Sequence, residues 1–204
     1  MTEKQILKCF MDTGALLEGH FELRSGLHSD RYFQCANVLR YPRIAEKLCR
    51  EVTARAIRSG LLGTRIDGVI SPAVGGILVG HEVARALGVK CIFAEKVQDG
   101  DKKDATGKPV TKLAMRRFAI GKGERYVVAE DVVTKGGRVQ ETIDLVKAAG
   151  GKVAGVVLLV DRSAGKVKFG RIPMFSLMQM TPTTWEPGAC PLCAKGSKPV
   201  HPGS

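Results

Sequence analysis

The chain contains four short strand-like runs in which apolar residues follow one another without alternating with polar ones. They read DGVIS from residue 67, VKCIFAE from residue 89, YVVAED from residue 126 and KVAGVVLLVDR from residue 152. Helix-like patterns lie between them, from Ile77 to Leu87 and again around Val139, Ile143 and Val146. Strands that are apolar on both faces and alternate with helices are typical of a parallel sheet covered on both sides. The sequence therefore predicts an α/β fold with a mainly parallel central sheet flanked by helices.

Chemically distinctive residues stand where three of the predicted strands end. They are Ser71-Pro72 before a glycine turn, Glu130-Asp131 before a glycine loop, and Asp161-Arg162. Open parallel sheets bind ligands in the crevice at the carboxyl ends of their strands. Each of these positions alone could be an ordinary turn between a strand and a helix, but three together predict a ligand site at this edge.

The loop after Glu130-Asp131 reads VVTKGGR and opens into a helix-like pattern. Gly136 and Gly137 allow backbone angles closed to other residues, and the amides that follow can form an anion nest at a helix N-terminus. Neither a P-loop motif nor a dinucleotide fingerprint is present. Carboxylates repel phosphate but accept hydrogen bonds from the vicinal hydroxyls of ribose. The two acids and the loop together therefore predict a cradle for ribose 5-phosphate.

The remaining segments predict smaller features around this sheet. Thr2 and Gln5 fit a capping box at the start of an N-terminal helix. Two strand-like pieces around a turn follow within residues 19–39, and Pro42 suits the first turn of a long helix. The segment from Lys96 to Lys112 is polar and charged, which predicts an exposed mobile loop or hairpin, and strand-like order resumes at Leu113.

The composition limits the classes of partner. The 204 residues suit one domain, and the formal net charge of +12 favours anionic ligands. Aromatic residues make up only 5%, which argues against a stacking surface for single-stranded nucleic acid. No apolar run is long enough to cross a membrane, and the N-terminus lacks the apolar core of a signal peptide. We expect a cytoplasmic protein that does not bind membranes.

The cysteines give a weaker signal. Cys9, Cys35, Cys49 and Cys91 stand singly in apolar patterns, as core thiols do. Cys190 and Cys193 form one CPLC motif, whereas a structural zinc site needs four ligands and the only nearby third candidate is His201. A zinc ion shared between two subunits is one alternative, but we favour a tail turn or an adventitious redox pair.

The stretch VVAEDVVTKGG resembles the phosphoribosyl-pyrophosphate signature of the type I phosphoribosyltransferases. Four further stretches, which extend the similarity over nearly the whole chain, resemble the orotate phosphoribosyltransferases within that family: GALLEGHFELRSGLHSDRYFQCANVL, SPAVGGILVGHEVARALG, VVLLVDRS and CPLCAKGSKPVHPGS. The loop specifies only the superfamily; the N-terminal segment and the DRS strand end point to orotate. The resemblance implies the type I phosphoribosyltransferase fold as one domain over residues 1–204. Residues 1–40 would form an N-terminal helix and hood, residues 96–117 a mobile lid, and residues 182–204 a tail.

The resemblance also implies an activity and a set of site residues. Orotate and phosphoribosyl pyrophosphate would give orotidine 5'-monophosphate and pyrophosphate in pyrimidine synthesis, with Mg²⁺ carried by the pyrophosphate and no direct metal ligand from the protein. Family members are usually homodimers whose lid closes over the neighbouring subunit's site. The residues implied to bind phosphoribosyl pyrophosphate are Arg24, Lys96, Glu130, Asp131, Val132, Val133, Thr134, Lys135, Gly136, Gly137 and Arg138. Those implied to bind orotate are Tyr32, Phe33, Thr134 and Arg162, and one of the two aromatic residues is expected to be core. Those assigned to catalysis are Lys96, Lys102, Lys103 and Asp131.

Several positions depart from the pattern that the resemblance implies. Many relatives carry a lysine in the turn where this chain has Val74, Gly75 and Gly76, and many carry a histidine in the lid. Small residues are usual in the loop where Lys135 and Arg138 stand. Two other functions therefore remain open: transfer to a purine or another base, and a regulator that senses phosphoribosyl pyrophosphate and binds nucleic acid through its basic surface.

Overall fold

A computed structural model describes residues 1–23, 25–63 and 65–202 of the chain. Seven of the described helices and strands lie in the first 87 residues. They are α1 (Glu3–Asp12), β1 (Leu16–Glu22), β2 (His28–Phe33), α2 (Ala36–Leu39), α3 (Pro42–Arg58), β3 (Gly68–Pro72) and α4 (Gly75–Leu87). Nine follow: β4 (Lys90–Lys103), β5 (Pro109–Ala114), β6 (Arg125–Val133), α5 (Gly137–Ala148), β7 (Lys152–Asp161), β8 (Met174–Gln179), β9 (Thr184–Trp185), a 3₁₀ turn (Pro187–Ala189) and α6 (Pro191–Ala194).

The central sheet has six strands in the order β5-β4-β3-β6-β7-β8. Every neighbouring pair is parallel except β4 and β5, which form an antiparallel hairpin. Helices cover both faces of this sheet, and its inner strands carry apolar side chains on both faces. The helices α3 and α4 pack over the buried apolar cluster on one face, and α5 packs over the cluster on the other. The predicted mainly parallel α/β sheet is therefore confirmed.

The N-terminal segment forms the predicted helix and hairpin. Thr2 and Gln5 complete the capping box of α1, since each side chain meets the other's backbone N–H. The strands β1 and β2 pair antiparallel, and the short strand β9 from the tail adds to β2. We call this three-stranded sheet the hood.

The structure differs from the predicted elements at the lid and near the C-terminus. Residues 96–112 belong to a long β-hairpin, one of the two predicted forms, with β4 continuing to Lys103 and β5 returning from Pro109. The strand that was expected to resume at Leu113 and run to Ile120 ends instead at Ala114. Strand β8 was not predicted, because its sequence MFSLMQ carries no β-branched residue and four flexible or polar ones.

Candidate active site

The three strand ends singled out in the sequence are neighbours in the sheet. The strands β3, β6 and β7 are consecutive, so their carboxyl ends share one edge. A cavity of about 410 Å³ opens there. Its lining comprises Pro72, Ala73, Gly75, Glu130, Asp131, Val132, Val133, Thr134, Lys135, Gly136, Gly137, Arg138, Val139 and Glu141. The structure thus brings together every predicted residue of the acid pair and the glycine loop.

The acid pair lies near the carboxyl end of β6, where the strand leaves the core. The side chain of Glu130 is buried, and its Oε1 accepts a hydrogen bond of 3.0 Å from the backbone N–H of Asp131. Burial, followed by the charge of Asp131, raises the pKa of Glu130 well above its usual value. Burial also raises the pKa of Asp131. Two adjacent carboxyl groups at the cavity, one of them buried, are suited to a ligand that brings hydroxyl donors.

The glycine turn after β3 forms the wall that faces these acids. A Cβ atom on Gly75 would lie 3.1 Å from Oδ2 of Asp131, and one on Gly76 would lie 3.0 Å from Oε1 of Glu130. The absence of side chains therefore lets the backbone approach the carboxyl groups. Sequence reasoning noted the missing lysine at this turn but not the close approach, although the glycine pair itself was the signal.

The glycine loop ends in the N-terminus of α5. Gly136 has φ of 78°, a conformation that favours glycine, and a Cβ there would lie 2.7 Å from a methyl group of Val167. The first N–H groups of α5 have no partner within the helix, and Gly137, Arg138 and Val139 line the cavity. This arrangement matches the anion nest expected from the sequence.

The two cations of the loop differ in their surroundings. Lys135 is exposed at the cavity. The guanidinium of Arg138 donates to Oε2 of Glu141 over 2.8 Å and to Oγ1 of Thr111 over 3.0 Å. Because Glu141 also accepts from the backbone N–H of Leu113 over 3.1 Å, Arg138 and Glu141 together join α5 to the hairpin.

Arg162 follows β7 beside the acid pair. The backbone N–H of Arg162 donates to the carbonyl of Val133 over 2.8 Å, which fixes the strand end. Asp161 is fully buried, and its Oδ1 accepts from the N–H and the hydroxyl of Ser163. Burial lowers the pKa of the Arg162 guanidinium, whereas the nearby Cys35 and Tyr32 act in the opposite direction. Its buried Nε has no hydrogen-bond partner among the described residues.

Of the two aromatic residues Tyr32 and Phe33 in the hood, one belongs to the core and one does not, as the sequence predicted. The ring of Phe33 lies 5.2 Å from that of Phe10 and belongs to the core. Tyr32 is half-buried, packs 5.9 Å from Phe21 and lies near Arg162. Arg24, which the resemblance places against the pyrophosphate, lies outside the described residues.

The lysines of the hairpin lie away from the lining of the cavity. Lys96, Lys102 and Lys103 are all exposed. Asp99 accepts from Nζ of Lys102 over 2.8 Å and pairs with Nζ of Lys112 over 2.6 Å. These bonds, Lys102 first, lower the pKa of Asp99 to about 2. Lys102 and Lys112 are thus held by a carboxylate of the hairpin itself.

Glu130 leads to a prediction about the pH dependence of stability. Between the pKa of an unfolded glutamate, near 4.5, and the raised folded value, the folded protein binds a proton that the unfolded chain has lost. Stability should therefore fall as pH rises through this window. Glu130→Gln removes the effect, so its gain in melting temperature over the unsubstituted protein should be larger at pH 8.5 than at pH 5.5. Differential scanning calorimetry without ligand measures this, and Glu186→Gln, an exposed position, is the control; a gain that does not depend on pH would contradict the prediction.

Comparisons with known proteins agree with this fold and site. A family model described as the phosphoribosyl transferase domain matches residues 37–176. The orotate phosphoribosyltransferase of Heliobacterium modesticaldum is 47% identical over 204 residues, covering 100% of this chain and 99% of that protein. That of Chlorobaculum parvum is 48% identical and covers 100% and 97%. The crystal structure of orotate phosphoribosyltransferase from Aeropyrum pernix superposes with a TM-score of 0.66 at 22% identity, over 86% of this chain and 93% of that one, and supports the fold alone.

A mainly parallel sheet with an acid pair and an anion nest at its carboxyl edge is the arrangement of a phosphoribosyltransferase, and the domain match agrees. That match begins at residue 37 and so leaves out the hood, whereas the full-length relatives cover the hood and the tail as well. The chain belongs to the orotate phosphoribosyltransferase family. Among the described residues, no helix is long and apolar enough to span a membrane.

Proposed function

We propose that this protein transfers the 5-phosphoribosyl group from phosphoribosyl pyrophosphate to orotate, giving orotidine 5'-monophosphate and pyrophosphate. The observation that carries the proposal is the half-buried Arg162, whose Nε has no partner among the described residues, at the end of the strand next to the one that carries the acid pair. A planar guanidinium is suited to a carboxylate such as that of orotate. Relatives that align with the whole chain carry the orotate phosphoribosyltransferase name.

The acid pair and the loop hold the ribose 5-phosphate in this proposal. Glu130 and Asp131 accept hydrogen bonds from the ribose hydroxyls, and the amides at the N-terminus of α5 bind the 5'-phosphate. Gly136 supports this assignment, because its positive φ sets the turn that aims those amides. Thr134 is exposed at the cavity, within the segment that joins the two halves of the cradle.

The reaction breaks the bond between ribose C1 and the pyrophosphate oxygen, and the bonding electrons leave with the pyrophosphate. The ring nitrogen of orotate forms the new bond to C1. Positive charge grows on the ribose during this exchange, and the carboxylate of Asp131 stabilises it across the ring. We assign Lys96, Lys102 and Lys103 to the negative charge that develops on the leaving pyrophosphate.

We further propose that Mg²⁺ is required and is brought by the pyrophosphate. Pyrophosphate oxygens would hold the ion, because Mg²⁺ prefers oxygen donors, and the two carboxyl groups at the cavity would add negative charge beside it without ligating it directly. When bound, the ion would neutralise part of the charge on the pyrophosphate. The residues beside it would be Asp131 and Glu130.

Two further proposals concern the assembly and location of the protein. We propose a homodimer in which the hairpin of one subunit reaches the site of the other; the family resemblance and the exposed lysines on a long hairpin support it.

We also propose a cytoplasmic location, since all six cysteines, each among the described residues, are free thiols.

The experiment that tests the function is an assay with a panel of bases. Purified protein is mixed with phosphoribosyl pyrophosphate and Mg²⁺, and orotate, hypoxanthine, adenine or uracil is added in separate reactions. Loss of orotate absorbance with release of pyrophosphate is expected, without turnover of the other three bases. Turnover of a purine but not of orotate would overturn the proposal. Salt-sensitive binding of DNA or RNA without turnover of any base would instead favour a regulator that senses phosphoribosyl pyrophosphate and binds nucleic acid.

A further inference from the structure

Four side chains that can bind a metal meet where the tail crosses the hood. His20 lies in β1 and His28 begins β2, whereas Cys190 and Cys193 flank the first turn of α6. One ligand atom from each residue lies within 4.8 Å of every other. His20, His28 and Cys190 are buried, and Cys193 is half-buried. The cluster therefore joins two segments of the chain that are more than 160 residues apart in sequence.

The separations between these atoms are those of a tetrahedral metal site. Nε2 of His20 lies 3.0 Å from Nδ1 of His28 and 3.4 Å from Sγ of Cys190. Sγ of Cys193 lies 3.3 Å from Nδ1 of His28 and 3.7 Å from Nε2 of His20. Zinc bound at about 2.05 Å to nitrogen and about 2.3 Å to sulfur would give edges of roughly 3.4 Å between nitrogens and roughly 3.6 Å between nitrogen and sulfur. All four distances lie within about 0.4 Å of these values.

Hydrogen bonds alone do not account for this arrangement. Nε2 of His20 is within contact of three polar atoms: Nδ1 of His28, Sγ of Cys190 and Sγ of Cys193. An imidazole nitrogen carries either one proton or one lone pair, so it can make only one of the three as a hydrogen bond. A cation at the centre of the four atoms satisfies all of them at once.

Apart from backbone pairing of β9 with β2, the tail buries few side chains. Within residues 183–202, all of which the structure describes, Cys190 is the only buried residue. Yet the tail pairs with β1 beside the cluster, since Val200 donates to the carbonyl of His20 over 2.8 Å and Glu22 donates to that of Val200 over 3.0 Å. A segment without an apolar core needs another source of stability, and a structural metal supplies one.

The surroundings of His20 fit a ligand role as well. Its Nδ1 lies 3.2 Å from the hydroxyl oxygen of Ser197. With Nε2 on a metal, Nδ1 carries the proton and donates to Ser197, which fixes the orientation of the ring. Metal-binding histidines are commonly held by such a partner.

We propose that His20, His28, Cys190 and Cys193 bind one structural Zn²⁺ that fastens the C-terminal tail to the hood. Two thiols each release a proton to solvent on binding, and the two thiolates balance the charge of the ion. Two imidazoles and two thiolates in tetrahedral array suit zinc, and four protein ligands leave no open position for catalysis. The sequence drew attention to Cys190 and Cys193 and offered His201 as the only nearby third candidate, which favoured a tail turn or a redox pair; the structure brings His20 and His28 to the two cysteines.

The first test is the metal content of untagged protein expressed with added zinc and freed of loose metal by gel filtration. Inductively coupled plasma mass spectrometry should find about one zinc per chain. His20→Ala and Cys193→Ser should lose nearly all of it, whereas His81→Ala and Cys9→Ser, which change the same residue types elsewhere, should keep it. Equal zinc in the Cys193→Ser and unsubstituted proteins, or none in either, would overturn the proposal.

Two measurements on the unsubstituted protein do not depend on how the variants fold. Replacing zinc by Co²⁺ should give the intense visible bands of tetrahedral cobalt and a thiolate-to-cobalt band in the near ultraviolet. Removing the metal with a chelator should expose two further reactive thiols and speed tryptic cleavage after the exposed Lys195 by about 10-fold or more. A Cys190–Cys193 disulfide in protein purified without oxygen, seen by mass spectrometry, would show a redox pair instead and overturn the proposal.

Discussion

Replacing Arg162 with alanine is expected to weaken orotate binding by roughly 10- to 150-fold, equivalent to about 1.5–3 kcal/mol for a lost charge-assisted hydrogen bond. The guanidinium is half-buried, its Nε lacks a partner among the described residues, and it lies near Tyr32 of the hood. Phosphoribosyl pyrophosphate should bind the variant with an affinity within about threefold of the original, because the acid pair and the glycine loop are unchanged. Isothermal titration calorimetry with each ligand separately measures both constants.

Two companion variants sharpen the assignment of Arg162. Arg162→Lys keeps the charge but not the planar fork, so it should recover only part of the lost affinity. Arg171→Ala removes an exposed arginine on the following loop and should leave orotate binding unchanged. Equal losses for orotate and phosphoribosyl pyrophosphate in Arg162→Ala would indicate a general structural defect and contradict the assigned role.

Replacing Asp131 with alanine is expected to act on the other substrate. Loss of a largely enclosed acceptor should weaken phosphoribosyl pyrophosphate by about 1–3 kcal/mol, or roughly 5- to 150-fold. Turnover should also fall, because the carboxylate is proposed to stabilise the charge that grows on the ribose. Calorimetry gives the affinity, and initial rates at saturating substrate give the turnover.

The control for Asp131→Ala is Asp144→Ala on the exposed face of α5, which changes the same residue type away from the acid pair. Orotate affinity should remain within about threefold in both variants. Unchanged binding of phosphoribosyl pyrophosphate by Asp131→Ala would refute the ribose cradle, even if turnover fell.

The parts of the site that could be predicted from sequence are those that lie close together along the chain. Glu130 and Asp131, the glycine loop and the start of α5 form one continuous stretch, and a strand followed by a helix fixes their relative positions. Arg162 could be placed beside them because neighbouring parallel strands end at the same edge. Local pattern and sheet topology were sufficient here.

Features that depend on contacts between distant segments could not be predicted in the same way. The histidines of the metal cluster have ordinary strand neighbours in the sequence, and only the path of the tail brings Cys190 and Cys193 to them. The link from Arg138 through Glu141 to the hairpin depends on where β5 crosses α5. The choice between Tyr32 and Phe33 needed the position of Phe10, which no periodicity supplies.

The bonds between Asp99 and the hairpin lysines have a consequence for the proposed closure. Asp99 already pairs with both Lys102 and Lys112 in the free protein, so one carboxylate offsets part of the hairpin's positive charge. When the hairpin closes over pyrophosphate, its lysines exchange the carboxylate of Asp99 for the oxygens of the ligand. An anion competes well with Asp99 for these lysines only if it carries more charge than a single carboxylate. We therefore expect chloride or a lone carboxylate to leave these ion pairs in place, and a polyphosphate to draw the lysines away from Asp99.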